Sequence, residues 1–417
     1  MSSTSSSTSS TTNRWVLAIA AFCMQLALGA VYAWSVFLKP VMTAYHVSQP
    51  QANLTFSIVL LALGVTAGFG GYFNSRFGPR VIATVAGILY GAGVFLSGFV
   101  APNIYLLYLT FGIIGGIGLG LGYIVALAML IKWFPDRRGF ITGLAVAGFG
   151  AGAAITGPIA ANLLLPTLKL SGTFIWLGIA YLVIVVVAAQ FYRTAPEGYA
   201  PPGWTPTEKQ QTASAIRQYT LPEALRTPRW YLLWLILALN VTAGAALISV
   251  ASPLAVSFTG VSAGVASALV VTISIFNGAG RLFWGWLSDF IGRPYAFLSM
   301  FIVQIIAFAL TPLIGNFALL FIPASIIGLC YGGGFGTMPA FTADFFGPKY
   351  AGTIYGAMLT AWSVGGIVGP QLIARIDYRT ALFILAALML VSCALPLIAR
   401  TLSPQREIVE VVAGGGK

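Results

Sequence analysis

Apolar residues run along this chain in long blocks separated by short polar breaks. A bilayer-spanning helix needs about 20 apolar residues. Charges and Gly, Pro and Asn punctuation divide the chain into twelve blocks of that size. They lie near 15–37, 53–73, 80–100, 103–131, 139–165, 171–192, 230–256, 264–287, 294–314, 317–343, 351–374 and 380–399. Membrane barrels are built from alternating strands of roughly 10 residues, which these runs do not resemble. The pattern predicts an all-α membrane protein with 12 transmembrane helices in two pseudo-symmetric six-helix bundles. The longest polar break, 193–229, is rich in Pro, Gln and Thr and follows the sixth block. It divides a first bundle (15–192) from a second (230–400) and has room for a short surface helix at 222–226. Residues 1–14, almost all Ser and Thr, read as a disordered tail, and 401–417 as a second tail.

The two halves repeat. Arg14-Trp15 opens the first block and Arg229-Trp230 the seventh, 215 residues later. The loop from Gly71 to Arg80 is answered at an offset of 214 by the loop from Gly285 to Arg293. The stretch from Phe134 to Gly139 resembles that from Phe346 to Gly352, and Gly157-Pro158 matches Gly369-Pro370 at an offset of 212. Two parallel six-helix halves imply a binding site between them near the bilayer midplane, reached by rocking of the halves.

Composition agrees with the pattern. The chain has 417 residues, of which 58% are hydrophobic and only 7% charged; soluble domains carry about 25% charged residues. A net charge of +12 raises the question of nucleic acid. The basic residues instead sit in short loops between blocks, sixteen of the 21 on one side. That is the asymmetry of a cytoplasmic face, and it excludes a clustered nucleic-acid surface. Both termini are expected in the cytoplasm, and the lipid bilayer, as a bacterial inner membrane, is the surrounding medium. Cys23, Cys330 and Cys393 fall in apolar blocks without paired spacing and read as small buried hydrophobes. His46, the single histidine, falls in an outer loop. No nucleotide-binding loop, metal-ligand cluster or catalytic-triad spacing stands out; the reading is a carrier without cofactors, neither an enzyme nor a primary pump.

One charge does not obey the pattern. Arg281 lies inside the eighth block. An arginine at the centre of a bilayer helix costs about 2.5–3.5 kcal/mol on insertion scales, so it faces a cavity or a partner. No acidic residue lies deep in any block, so the guanidinium has no partner of its own in the chain. Its planar fork matches a carboxylate and keeps its proton. The carboxylate is therefore expected to arrive as substrate. Asn277 is one turn earlier on the same face, placed to orient the guanidinium or to donate to the substrate.

The 6+6 repeat, the central loop and the Gly-xxx-Asp-xx-Gly-Arg-type loops resemble the major facilitator superfamily over essentially the whole chain. Within it, the stretch from Asn277 to Arg293 resembles the eighth span of monocarboxylate transporters and oxalate/formate antiporters, and the stretch from Trp133 to Gly148 resembles their fourth-to-fifth connection. The resemblance implies that Tyr331 and Phe335 in the tenth span, Tyr123 in the fourth, and Tyr32 and Leu28 in the first line the substrate site. Trp362 stands where oxalate carriers place a second cation, so one fixed charge remains for one carboxylate. Asn277 stands where mammalian members have an aspartate thought to exchange the coupling proton; an amide cannot do so. Mammalian members also carry a first-span lysine after a Tyr-Ala-aromatic run, and this chain has none within Tyr32-Ala-Trp-Ser-Val36. Ser75 replaces the usual acid of the first-half loop, whereas Asp289 keeps it in the second. Asp289, Arg293, Arg76, Arg80, Arg137 and Arg138 are expected to latch the cytoplasmic ends in the outward-open state.

The expectation is a monomeric secondary carrier of a small monocarboxylate such as L-lactate or pyruvate, with a proton as coupling ion. The alternatives are an oxalate/formate-type anion exchanger and, in another class, a non-transporting receptor on the same fold.

Overall fold

A computed structural model describes residues 13–196, 199–201, 205 and 218–402, the side chains of Arg138 and Gly139 excepted. Residues 1–12 and 403–417 of the two tails, and 197–198, 202–204 and 206–217 of the linker, lie outside the described residues. Eleven helical runs among those described are long and apolar enough to cross a bilayer. One of them, Phe140–Gln190, has 51 residues, about 75 Å of helix against a hydrocarbon core of about 30 Å. It is broken at Lys169, whose φ of 55° and ψ of −174° are not helical. The molecule therefore crosses twelve times. In chain order the spans are Arg14–Tyr45, Gln49–Phe77, Pro79–Phe99, Ile104–Trp133, 138–168, 170–190, Pro228–Thr259, Ala263–Ile291, Arg293–Leu313, Phe317–Phe346, Ala351–Arg375 and Tyr378–Thr401.

These segments are helical because lipid offers backbone groups no water; each N–H and C=O must be satisfied within its own segment. Their ends are capped by short polar side chains and by glycine. Asn13, Asn103, Ser262, Asn316 and Asp377 accept from backbone amides of the first turn. Gly78 ends the second span at φ 78°, ψ 161°, and Gly292 ends the eighth at φ 88°, ψ 148°. These two glycines are 214 residues apart, the offset of the sequence repeat, so the repeat is also a repeat of backbone conformation. Both need positive φ, which glycine adopts without steric cost.

The first span outruns its expected end at 37 and continues to Tyr45. It passes Pro40, and Lys39 remains exposed at its surface. The short linker helix forms at Leu221–Leu225, closed by a Thr220–Glu223 capping box.

Glycine sets how closely the spans approach. The eighth and tenth meet where a Cβ on Gly280 would overlap the Leu329 carbonyl, on Gly332 the Asn277 carbonyl and on Gly336 the Arg281 carbonyl. The halves meet along two seams. One joins the second and eleventh spans at Gly64 and Gly366, and the other joins the fifth and eighth at Gly150 and Gly278. Large apolar side chains such as Tyr105 (76% exposed) and Val391 (73%) cover the outside, as a lipid-facing surface requires.

Candidate functional site

Arg281 leaves the eighth span at the seam between the halves and is 1% exposed. Asn277, one turn earlier, accepts from its Nε at 3.3 Å. The guanidinium carbon lies 5.0 Å from the centre of the Phe335 ring and 5.6 Å from that of Phe149. Such ring contacts contribute about 2 kcal/mol or more once water is gone. They do not use the N–H groups at the tip: Nη1 and Nη2 have no hydrogen-bond partner among the described residues, and neither has Nδ2 of Asn277. An unpaired buried donor costs about 1–3 kcal/mol, and more when charged. The described acids, Asp136, Glu223, Asp289, Asp344 and Asp377, all lie at helix ends or in loops. Within the membrane the guanidinium thus has amide and ring neighbours in place of a carboxylate.

The tyrosines form two groups around it. On the side away from the termini, Trp362 Nε1 donates to the Tyr331 hydroxyl at 3.0 Å, and Tyr331 shares a 3.1 Å hydrogen bond with the Tyr32 hydroxyl. An indole N–H only donates, so the Tyr331 hydroxyl accepts from Trp362; in its bond with Tyr32 either hydroxyl can be the donor. This bond joins the first and tenth spans, one from each half. The second group is Tyr123 and Tyr355. Their hydroxyls lie within electrostatic reach of Arg281 and of each other, yet too far or too bent for a hydrogen bond by geometry. Between the groups the rings pack on Trp362: Phe335 tilted against it at 4.4 Å, and Tyr123 and Phe149 edge to face at 5.3 and 5.6 Å.

Of the residues singled out in the sequence, Arg281, Asn277, Tyr331, Phe335, Tyr123, Tyr32 and Trp362 come together. Leu28 is buried against Gly122, beside Tyr123. Phe149 and Tyr355 were not anticipated. Both carried a signal: Phe149 is the lone large residue in the small-residue run 147–154, and Tyr355 precedes Trp362 by seven residues, two turns on one face. Asn240 and Gln304 were missed as well. Asn240 donates to the backbone carbonyls of Cys330 and Tyr331 at 3.3 and 3.4 Å, and Gln304 donates to Asn240 at 3.1 Å. They brace the tenth span at the level of Tyr331.

The predicted latch residues lie at the terminus-bearing end, and the following pairs join described residues of one half. Arg293 pairs with Asp289 and with Asp344, and Arg137 with Asp136, which also holds Arg14 at 2.6 Å. Arg76 reaches the Tyr72 hydroxyl at 3.4 Å, and Arg80 is exposed. The side chain of Arg138 lies outside the described residues. The Arg14 hydrogen bond, together with its charge, holds the Asp136 carboxyl below the usual carboxylate range.

At the opposite end the halves are joined by neutral hydrogen bonds. Asn53 donates to Ser249 at 3.4 Å, Gln371 to the Pro50 carbonyl at 3.2 Å, Tyr378 to Gln49 at 3.2 Å and Asn162 to Ser267 at 3.4 Å. Beside the site, a cavity of about 10 Å³ is lined by Tyr32, Ser274 and Asn277 and by apolar residues of the fifth, seventh and eighth spans. The site is occluded.

A fold of twelve helices in two repeated halves, with one buried cation at their seam, defines a membrane transporter. The chain belongs to the Major Facilitator Superfamily, whose family pattern matches residues 17–370. It is 30% identical over 398 residues to the oxalate:formate antiporter of Oxalobacter formigenes, covering 92% of this chain and 90% of that one. It is 29% identical to the uncharacterized MFS-type transporter YhjX of Escherichia coli, covering 85% and 86%. Human monocarboxylate transporter 1 is 30% identical over 138 residues, 32% of this chain and 27% of that one. Among solved structures, a bacterial homolog of the human lysosomal transporter Spinster, inward-facing and occupied, superposes with a TM-score of 0.71 at 16% identity. That superposition covers 93% of this chain and 96% of the other.

Proposed function

We propose that this transporter is a proton-coupled carrier of a small monocarboxylate, such as L-lactate or pyruvate, with Arg281 holding the carboxylate. The observation that carries this reading is a set of buried donors that no described residue answers: Nη1 and Nη2 of Arg281, Nδ2 of Asn277 and the hydroxyls of Tyr123 and Tyr355. All five belong to residues around one guanidinium, and a carboxylate supplies acceptors alone. The fork and a carboxylate make two parallel charge-assisted hydrogen bonds. Binding neutralises the cation and so lowers the cost of occluding it as the halves rock. Asn277 has a second function, because its Oδ1 fixes the tilt of the fork.

The proton has no carboxylate to ride on among the described membrane residues. We assign it to the substrate itself, released as the acid, or to the tyrosine hydroxyls. The monomer acts alone, with both termini on the cytoplasmic side of a bacterial inner membrane.

A second reading, exchange of oxalate-type anions, draws on the likeness to the oxalate:formate antiporter over most of both chains. It is disfavoured by Trp362. A dianion would leave one charge uncompensated in a medium where an unpaired ion costs several kcal/mol.

The test is uptake of radiolabelled L-lactate into proteoliposomes, with and without an inside-alkaline gradient, wild type beside Arg281→Gln. Gradient-stimulated uptake that the variant lacks supports the proposal. Uptake indifferent to pH but driven by internal anion supports the exchanger. Saturable binding without accumulation would indicate a receptor.

A further inference from the structure

We propose that the part of the substrate beyond its carboxylate lies on the side of Arg281 away from the termini, in the cavity walled by Ala153, Ile248, Ala251, Val270 and Ile273, and that these side chains set the accepted chain length. The proposal rests on the carboxylate reading of Arg281.

Three observations support it. Val270, Ile273, Asn277 and Arg281 follow one another at helical spacing on one face of the eighth span; the first three line the cavity, and Arg281 is one turn beyond the last of them. Elsewhere around the guanidinium the rings of Phe149, Phe335, Trp362 and Tyr123 are packed against one another at 4.4–5.6 Å. An acyl chain entering there would have to separate rings already in contact, whereas the cavity provides a starting space of about 10 Å³. Third, the cavity has the polarity of a short acid. Asn277, Ser274 and Tyr32 line it, and Nδ2 of Asn277, one turn from Arg281, is fully buried without a partner among the described residues. Beyond them the wall is wholly apolar and comes from the fifth, seventh and eighth spans, hence from both halves.

This differs from the arrangement in which Phe335 and Trp362 form the pocket for the carbon chain. Those rings serve the guanidinium and Tyr331, and the chain-length wall is aliphatic. Two of its members, Ala153 and Ala251, are small, so enlarging either one shortens the space, and truncating Ile248 or Val270 lengthens it. One methylene transferred from water into such a wall changes affinity about fourfold.

The experiment measures uptake of radiolabelled acetate, propionate, butyrate and hexanoate into proteoliposomes holding wild type, Ile248→Ala, Val270→Ala or Ala251→Val. Each variant is first checked for a monodisperse elution profile. Ratios between acids within one variant cancel differences in reconstitution. The expected result is a butyrate-to-propionate ratio raised about fourfold or more in Ile248→Ala and Val270→Ala, and an acetate-to-propionate ratio raised similarly in Ala251→Val. Two truncations on different spans are included so that misfolding of one leaves the other to decide. Unchanged ratios in folded variants that still transport would overturn the subsite and leave the role of Arg281 standing. Failure of wild type to take up any of these acids or L-lactate, or equal uptake by Arg281→Gln, would instead remove the carboxylate reading.

Discussion

A guanidinium at 1% exposure between Phe149 and Phe335 has exchanged water for two ring faces and one amide oxygen. That is enough to hold it and too little to satisfy it. Arg281→Lys keeps the charge but loses the fork. Hydrogen bonds to charged groups contribute about 1.5–3 kcal/mol each, so L-lactate uptake (kcat/KM) should fall about ten- to a hundredfold in proteoliposomes. An unaffected lysine variant would mean that bidentate geometry is irrelevant. Trp362→Phe keeps a ring against Phe335 and removes the donor to Tyr331. Loss of one neutral hydrogen bond, about 1 kcal/mol, predicts a change near fivefold in substrate affinity, read by isothermal titration with the purified carrier. At this scale the sequence was informative where a residue breaks a rule: an arginine in an apolar block is visible without any structure. Phe149 and Tyr355 stand out only by a small-residue context and by spacing, and neither signal says that the ring lies beside Arg281.

Not all the spans that carry the site are regular at its level. The first changes from α to 3₁₀ geometry over Ala30–Ala33, which contains Tyr32. The fifth stays helical through Gly152 (φ −58°, ψ −38°), whereas the eleventh departs from α geometry at Leu359 (φ −64°, ψ −12°), between Tyr355 and Trp362. A mid-helix change of this kind is a common place for a hinge. Gly152 is needed because a Cβ would overlap the Leu26 carbonyl of the first span. The same logic separates structural glycines from incidental ones. Gly332→Ala should lower the melting temperature of the purified protein or prevent its extraction, because its Cβ would overlap the Asn277 carbonyl; Gly71→Ala, with nothing within 4 Å, should be neutral or slightly stabilising. Equal melting temperatures for the two would contradict the packing described. Asp136 allows a pH prediction. Its folded carboxyl is held down by Arg14, so the pair stabilises the protein above the unfolded pKa of about 3.9 and loses that contribution as pH falls through the lower folded value. Thermal stability should therefore decline below about pH 4, and Asp136→Asn should show a smaller decline over that range.

On the scale of the whole molecule, the two halves are closed over the site, and the end away from the termini is sealed by neutral side chains. Asn53 is held by Trp34 at 3.1 Å and reaches Ser249 in the other half. If the halves rock to admit substrate from that side, this contact must open. A cysteine pair at Asn53 and Ser249, joined by a short bifunctional reagent, should abolish uptake and recover it on cleavage of the linker. Full transport by the cross-linked protein would exclude an opening at this position. The pairs Arg14–Asp136, Arg293–Asp289 and Arg293–Asp344 at the terminus-bearing end each lie within one half, so these charges shape the half they belong to.

The number of spans, the repeat and the single membrane cation follow from the sequence because each rests on a local cost. An apolar block of about 20 residues and a charged group in lipid have nearly the same transfer energy whatever packs beside them. The matching glycines Gly78 and Gly292 belong here too, since positive φ is a property of one residue. Other features had no local signature. Tyr32 meets Tyr331 across 299 positions of chain, and each helix has several faces that composition alone does not rank. Packing decided which aromatics enclose Arg281, which direction is filled by rings and which is open, and at which end the halves are joined. Contacts such as Tyr32 with Tyr331 and Phe149 with Trp362 form only when the two halves come together, because their partners belong to opposite halves.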